Sequence, residues 1–284
     1  MMKFNIIGAG KLGINLAYAL QANRLAQINA IYSRSFKSAE KAIAALGAGQ
    51  AVSALRELPQ AELTLITTSD DAIASTAAML AENNQLPVNS IVAHCSGVLS
   101  AEALKPLKNQ GCHIASIHPL KAFLINALCK DVFKNCYCAA EGDARAVACL
   151  TALLSSLGAR VVTVFPDKKA AYHAAAVMAS NYLATLAQNA MELLIGSGLT
   201  HKAAQEMTTQ LMHSSLTNLL NNPNPREVLT GPLARGDFNT IKMHLDAIKS
   251  PDANHLYRAA ALATLGLTSL DSDMIASLRS LLET

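Results

Sequence analysis

Two polar side chains, Ser96 and His118, stand where a chemical step could take place. Each follows a short apolar run that is typical of a strand, and 22 residues separate them. A helix predicted over 101–109 would return the chain to the same edge of a parallel sheet, so both could reach one small molecule. An imidazole with a pKa of about 6.5 can accept a proton from an alcohol or give one to a carbonyl oxygen. We take both as candidate catalytic residues, and a purely structural role for His118 stays open.

A stripe of polar residues follows on a long, otherwise apolar helical segment. At about 100° per residue, Lys169, His173, Ser180 and Asn181 fall within about a third of the circumference. Such a stripe is typical of a ligand cleft, and equally of a satisfied buried polar network between domains. We therefore add Lys169, His173 and Asn181 to the candidate catalytic residues.

A second dense polar stretch, 230–237, combines turn-forming residues with an arginine. The guanidinium of Arg235 could bind a carboxylate or a phosphate through two hydrogen bonds. Asp237 is more simply predicted to be the N-cap of the next helix.

A glycine-rich turn joins the first predicted strand to the first predicted helix. Its residues are Gly8, Ala9, Gly10, Lys11, Leu12 and Gly13. In a dinucleotide-binding turn the first glycine permits the bend, the second lets the backbone approach a pyrophosphate, and the third lets helix pack on strand. The helix would also direct its free N–H groups at the phosphates. We predict that all six residues bind a dinucleotide, the alternative being a plain glycine-rich turn.

The second predicted strand, 28–32, ends in Ser33, Arg34 and Ser35. An NAD site usually has Asp or Glu about 20 residues past the glycines to bind the ribose 2′-OH. A hydroxyl and a guanidinium in that place would instead hold a 2′-phosphate, which a carboxylate would repel. The pattern favours NADP (NADPH) as cofactor, the alternative for Arg34 being an ordinary surface arginine.

Thr68 and Ser69 follow a buried strand predicted over 62–67 and open another helix. Ligands of an open α/β sheet collect beyond the carboxyl ends of strands, so both join the predicted cofactor-binding residues. The next two residues, Asp70 and Asp71, stand where a helix needs acceptors and negative charge, and we interpret them as helix caps.

Alternating strands and helices position these residues over the first 166 positions. Further strands are predicted over 90–94, 112–117, 136–140 and 160–164, and helices over 38–46 and 144–157. After a break at 165–167 only helical patterns follow, over 168–196, 200–220, 240–248, 252–265 and 271–282. The predicted class is α/β: a Rossmann-type, doubly wound, mostly parallel sheet in residues 1–166, then a smaller all-α domain in residues 167–284.

Composition narrows the classes of partner. The chain is 51% hydrophobic and 15% charged, which indicates extensive burial within the chain or between subunits. The net charge of +3 is spread along the chain, and aromatic residues make up only 4%, which argues against nucleic acid. We expect a small-molecule substrate and a homodimer formed through the helical domain.

The cysteines and the apolar segments indicate the cellular compartment of the protein. None of the six cysteines forms a C-x-x-C pair, so we predict reduced thiols and no metal site. The first residues lack the pattern of a secretion signal, and polar residues interrupt the most apolar segment, 170–196. We therefore expect a soluble, cytoplasmic protein with no membrane partner.

As a set, five stretches resemble the NADP-binding, Rossmann-like oxidoreductase family whose members carry a C-terminal helical domain of uncharacterised function (DUF2520-type). The stretches are 8–13, His94-Cys95-Ser96-Gly97, 116–120, Tyr172-His173 with Ser180-Asn181, and Thr230-Gly231-Pro232 with Arg235-Gly236-Asp237. The resemblance spans nearly the full length. It implies a nicotinamide-binding fold, often dimeric, without an established substrate.

The chain is also distantly similar to two families of dehydrogenases. Prephenate dehydrogenases carry a serine after one strand and His-Pro after the next, which implies Ser96 as a substrate or nicotinamide contact and His118 as acid/base. Residues 120–123 depart from that pattern, so prephenate itself is not implied. β-Hydroxyacid dehydrogenases pair a lysine with an asparagine four residues on, whereas here Lys169 is followed by His173.

Together these features predict an NADP(H)-dependent oxidoreductase. It would move a hydride between the nicotinamide and a small hydroxyl, carbonyl or imine compound bound between the domains. The alternative is a non-catalytic NADP-binding or scaffold protein, because a fold does not fix a function.

Overall fold

The computed structural model describes residues 1–84, 86–124 and 128–284. The chain divides into two compact units, Met1–Ser180 and Asn181–Thr284. The division falls inside a long helix that begins at Lys169. The domain boundary expected after residue 166 stays a prediction.

The first unit contains one eight-stranded sheet. Its strands are β1 (Lys3–Ile7), β2 (Gln27–Tyr32), β3 (Gln50–Val52), β4 (Leu63–Ile66), β5 (Ile91–His94), β6 (His113–Pro119), β7 (Tyr137–Gly142) and β8 (Arg160–Thr163). The order is β3-β2-β1-β4-β5-β6-β7-β8. All neighbours are parallel except β6 and β7, which pair antiparallel. This topology confirms the predicted fold class.

Two hydrophobic cores cover the faces of this sheet. Side chains alternate between the faces of a strand, so Ile6 and Leu65 lie in one core while Ile7 and Ile66 lie in the other. Both faces of the central strands are therefore buried, which is why β4 consists only of apolar residues and one buried threonine, Thr64.

Helices follow most strands of the first unit, and the last of them runs on into the second unit. They are α1 (Lys11–Ala22), α2 (Phe36–Leu46), α3 (Asp70–Glu82), α4 (Lys105–Lys108), α5 (Ala144–Ser156) and α6 (Lys169–Gly196), with 3₁₀ turns at Leu55–Glu57, Ala101–Leu104 and Pro166–Lys168. The N-cap of α3 is Ser69, so Asp70 and Asp71 lie in its first turn and are not the caps we expected. Their charge there still favours the helix dipole.

The second unit is entirely helical over its described residues, all of 181–284. It holds the end of α6 and then α7 (His201–Asn221), α8 (Pro225–Val228), α9 (Pro232–Arg235), α10 (Phe238–Ala247), α11 (Pro251–Leu265) and α12 (Ser272–Glu283). Each of the helices α10, α11 and α12 contributes a buried pair at i, i+4 spacing to one core, namely Ile241 and Leu245, Ala261 and Leu265, and Leu278 and Leu282. Among the described residues, no helix has the length and hydrophobicity that a membrane crossing requires.

Candidate active site

The glycine turn lies at the carboxyl end of β1. Gly8 has a φ of +111°, and a Cβ there would stand 2.8 Å from the backbone of Thr67. Gly13 packs so closely against Gly8 and Thr67 that a Cβ has no room. At Gly10, in contrast, the nearest atom is 3.9 Å away, the Thr67 carbonyl oxygen. Packing therefore requires the outer two glycines, while the middle one leaves its backbone open to approach.

The start of α1 is suited to an anion. Gly10 is its N-cap, no described side chain caps its first N–H groups, and its first turn holds no acid. Such a terminus combines unsatisfied N–H groups with the positive end of the helix dipole. Thr67 fixes the turn from the neighbouring strand, because its hydroxyl donates to the Gly8 carbonyl at 2.7 Å.

The segments predicted to bind cofactor flank this turn at the same edge of the sheet. Residues 33–35 follow β2, and 68–69 follow β4, the two strands that pair with β1. The backbone N–H of Gly8 donates to the Tyr32 carbonyl at 2.8 Å, so Ser33 and Arg34 begin beside the turn. The guanidinium of Arg34 is exposed and makes no hydrogen bond or ion pair to any residue that the structure describes.

His94, the last residue of β5, fixes the loop that follows the strand. Its Nδ1 accepts from the Ser96 N–H at 3.2 Å, so Nε2 carries the proton and donates to the Ser100 carbonyl at 2.9 Å. Burial lowers the pKa of His94 to about 4, which keeps the ring neutral. The hydroxyl oxygen of Ser96 is buried and accepts from the N–H groups of Val98 and Leu99, at 3.2 and 3.0 Å. In this structure that hydroxyl stabilises the loop; the ligand contact assigned to Ser96 stays a prediction.

Lys169, the first residue of α6, is buried beneath the same loop. Its Nζ donates to Ser116 Oγ at 2.6 Å and to the Ser96 carbonyl at 3.2 Å. Glu141, which pairs with Ser116 across β6 and β7, places a carboxylate oxygen 3.8 Å from Nζ. The same oxygen accepts from the Ala101 N–H at 2.8 Å. Burial lowers the pKa of Lys169 and raises the pKa of Glu141.

These contacts bear on the two interpretations of Lys169. Only 1% of its surface is exposed, and its Nζ is bound within the protein, which favours the satisfied buried network that the sequence left open. The catalytic role assigned to Lys169 stays a prediction.

His118 lies inside β6, opposite Ala139, whereas the sequence placed it just past the strand. The antiparallel partner β7 extends β6 as far as Pro119, which explains the difference. The His118 Nδ1 is 3.0 Å from the Tyr172 hydroxyl, and its ring centroid is 5.6 Å from that of His173. Gly97 packs on both histidines, because a Cβ there would lie 2.9 Å from His118 Cε1 and collide with His173.

The ionisation of His118 also differs from expectation. Burial, together with the nearby His173 and Lys169, lowers the pKa of His118 to about 4, whereas Asp70 acts weakly in the opposite direction. Burial raises the pKa of Tyr172 to about 12. Both groups are therefore neutral at pH 7, and the acid/base role assigned to His118 stays a prediction.

The other polar candidates lie elsewhere. Ser180 and Asn181 are exposed on α6, and Asn181 belongs to the second unit. Arg235 donates from Nε and Nη2 to one Asp237 oxygen, at 3.0 and 2.6 Å. Asp237 is the N-cap of α10, as predicted, although its side chain makes no capping hydrogen bond.

Sequence reasoning did not assign a role to four residues of this cluster: Gly97, Ser116, Glu141 and Tyr172. The sequence does mark two of them as unusual, because Ser116 and Glu141 are polar residues within apolar runs that are typical of strands. Tyr172 contacts His118 across 54 residues of chain, and only the fold shows this contact.

The fold and the glycine turn define a Rossmann-type protein, in which the residues predicted to bind the cofactor follow β1, β2 and β4. A model of the Rossmann-like domain matches residues 1–119, and a model of the domain of unknown function DUF2520 matches residues 136–264. The chain therefore belongs to the proteins that join a Rossmann-like domain to a DUF2520 domain, which confirms the predicted family. No curated protein matches the sequence.

Solved structures of similar fold cover nearly the whole chain. A Bacteroides fragilis protein assigned as an NADP oxidoreductase is 24% identical, with a TM-score of 0.79 over 93% of this chain and 98% of its own. A Thermotoga maritima protein is 26% identical, with a TM-score of 0.68 over 97% and 99%. The pyrroline carboxylate reductase of Plasmodium falciparum, solved with NADP bound, is 12% identical, with a TM-score of 0.57 over 99% and 96%.

Proposed function

We propose that this protein is an NADP(H)-dependent oxidoreductase. It would move a hydride between the nicotinamide and a small compound that carries a hydroxyl, carbonyl or imine group. The observation that carries the proposal is the glycine turn. Packing requires Gly8 and Gly13, whereas the backbone of Gly10 is open to approach and stands at the start of a helix whose first N–H groups have no side-chain cap. The names of the similar structures, an assigned NADP oxidoreductase and a reductase with NADP bound, support the same class.

The residues present fit the cofactor at both of its charged groups. The first N–H groups of α1, behind Gly10, would hold the pyrophosphate. Ser33, Arg34 and Ser35 would hold the 2′-phosphate, because the exposed guanidinium has no competing acid among its described contacts. Thr68 and Ser69 would line the other side of the turn. The bound nicotinamide would supply the hydride, and His118 would orient the substrate.

Replacing Arg34 by alanine tests the choice of cofactor. A charge-assisted hydrogen bond contributes about 1.5–3 kcal/mol, so NADPH affinity should fall about ten- to a hundredfold. NADH lacks the 2′-phosphate and is the internal control, so its affinity should stay within about twofold. Fluorescence titration of both nucleotides measures this. Equal affinity of the unaltered protein for NADPH and NADH would contradict the proposal.

Turnover is tested separately, by NADPH oxidation against a panel of aldehydes, ketones and cyclic imines. Oxidation of NADPH with at least one compound, lost when His118 is replaced, would support the proposal that the protein is an oxidoreductase. Tight NADPH binding without turnover of any compound would favour a non-catalytic NADP-binding protein.

We also propose that the protein forms a homodimer through its helical unit. Large apolar side chains are exposed on α6 and α7, including Tyr182, Leu186 and Leu211, with exposed fractions of 55, 42 and 70%. Exposed apolar surface of this kind is typical of an interface.

Light scattering at micromolar concentration should therefore give twice the chain mass of 29.9 kDa. Leu211→Glu should shift the population toward the single chain, because it would bury a charge. Met243→Glu, on α10, is the matched control at an equally exposed position and should leave the dimer intact. A single-chain mass for the unaltered protein would rule out the dimer.

A further inference from the structure

The hydrogen bond between Tyr172 and His118 determines which nitrogen of the imidazole carries its proton. A neutral imidazole has one N–H and one acceptor nitrogen, and the bond made by one nitrogen sets the state of the other. The Tyr172 oxygen lies 3.0 Å from His118 Nδ1, and the two rings meet edge to face with their centroids 5.7 Å apart.

The direction of this hydrogen bond follows from the partners of Tyr172. Tyr172 is a half-buried residue, and among the described residues its hydroxyl makes one hydrogen bond. Over the described ranges 1–84, 86–124 and 128–284, the acceptor within reach of that hydroxyl is His118 Nδ1. If Nδ1 carried the imidazole proton instead, the phenolic proton would have no acceptor among those residues. We take the phenol as the donor, because this arrangement gives the phenolic proton an acceptor within the protein.

We propose that Tyr172 is a positioning residue that fixes the neutral His118 ring in the form protonated at Nε2. Gly97 keeps the ring against α6 on the other side, since any Cβ there would push His118 and His173 apart. His118 then presents an N–H donor, and not a basic nitrogen, to a bound molecule.

This assignment refines the substrate class of the proposed function, on which it rests. An Nε2–H donor binds the lone pair of a carbonyl oxygen or of a neutral imine nitrogen. It does not accept the proton of an alcohol or of a protonated amine. In this form the ring can bind the carbonyl oxygen or imine nitrogen that a reduction consumes, and it offers no free basic nitrogen for the proton of an alcohol.

The form of the ring can be measured without any substrate. Long-range proton–nitrogen NMR spectra of protein labelled with ¹⁵N-histidine distinguish the two neutral forms and the imidazolium. The chain has eight histidines, and the signals that vanish in His118→Asn assign the ring. We expect one form, protonated at Nε2, throughout pH 6–8. The charged or titratable groups near the ring are His173, Lys169, Asp70 and Tyr172. The same spectra report the His173 ring separately, so its signals are not confused with those of His118.

Tyr172→Phe removes only the phenolic oxygen. The His118 signals should then show a mixture of both neutral forms, and turnover should fall about two- to tenfold, the usual worth of one neutral hydrogen bond. Tyr257→Phe is the matched control, because it removes a hydroxyl bound to a different histidine, His244, and should change neither the His118 signals nor turnover.

Two results would overturn the inference. One is an Nδ1-protonated His118 in the unaltered protein, and the other is an unchanged, pure Nε2 form in Tyr172→Phe. Failure to find turnover, with the expected spectra, would count against the proposed function and leave the assignment of the ring intact.

Discussion

Replacing His118 by asparagine should lower turnover by about 10²–10³-fold, the usual worth of a donor to the reacting group, while NADPH affinity stays nearly unchanged. The asparagine amide can still meet the Tyr172 hydroxyl near the position of Nδ1, so the packing of β6 against α6 is kept. It places no donor at the position of Nε2, where a substrate oxygen or nitrogen would bind. Steady-state kinetics with any substrate from the panel measures the loss.

Two further replacements separate catalysis from structure. His118→Gln carries its amide N–H near the position of Nε2, so it should keep more activity than the asparagine variant. His118→Ala should lower both turnover and the melting temperature, because it leaves Tyr172 without its acceptor. Near-normal turnover in His118→Asn would show that the donor lies elsewhere, and a lowered melting temperature alone would indicate a structural histidine.

The pH dependence of stability has a definite sign for this ring. The pKa of folded His118 is about 4, below its unfolded value of 6.5. Between these values the unfolded chain binds a proton that the folded ring rejects, so stability falls as pH drops from 6.5 to 4. His118→Asn should therefore lose less stability than the unaltered protein over that interval. His94, which has a similarly lowered pKa, contributes equally to both proteins.

The sequence alone predicts those elements whose residues form a clear local pattern. Buried strands such as β4 are continuous apolar runs, and the turn glycines have fixed spacing, so the sheet and its ligand edge could be predicted. The edge strand β3 was missed because its three residues are too short to show a period. The short helices α8 and α9 were missed for the same reason.

The side-chain contacts of the site depend on how deeply each side chain is buried, and the helical periodicity of a sequence does not give that burial. The period placed Lys169 and His173 on one face, but Lys169 is buried at the start of α6 while His173 is only half-buried. The ionisation of His118 depends likewise on burial and on His173 and Lys169 beside it. A reference pKa taken from the residue type alone cannot include either effect.

Lys169→Met should destabilise the fold by about 3–5 kcal/mol, the usual cost of removing one partner from a buried ion pair. The change leaves the Glu141 carboxylate buried without its cation, and it deprives Ser116 Oγ and the Ser96 carbonyl of a donor. Lys168→Met is the matched control. The neighbouring lysine is paired with Asp167 at the surface, so its removal should cost less than about 1 kcal/mol. Chemical denaturation measures both.

A double variant shows whether the carboxylate causes the loss. Glu141→Gln keeps an amide oxygen that can accept from the Ala101 N–H but removes the charge. Lys169→Met with Glu141→Gln should therefore recover more than half of the stability lost in Lys169→Met alone. If the double variant is no more stable than the single one, the loss arises from Ser116 and the Ser96 loop and not from the uncompensated charge.

The pH dependence of Lys169→Met completes the test. Burial raises the pKa of folded Glu141 above its unfolded value of 4.5, and removal of the lysine raises it further because an attractive charge is lost. The folded state then binds a proton more tightly than the unfolded chain, so the variant gains stability as pH falls through the raised pKa. The stability deficit of Lys169→Met relative to the double variant should thus be largest at pH 8 and shrink toward pH 5. A deficit that stays constant across this range would mean that the folded and unfolded chains bind the same number of protons at Glu141 between pH 5 and pH 8, so that the carboxylate is ionised in both and its charge is screened by water.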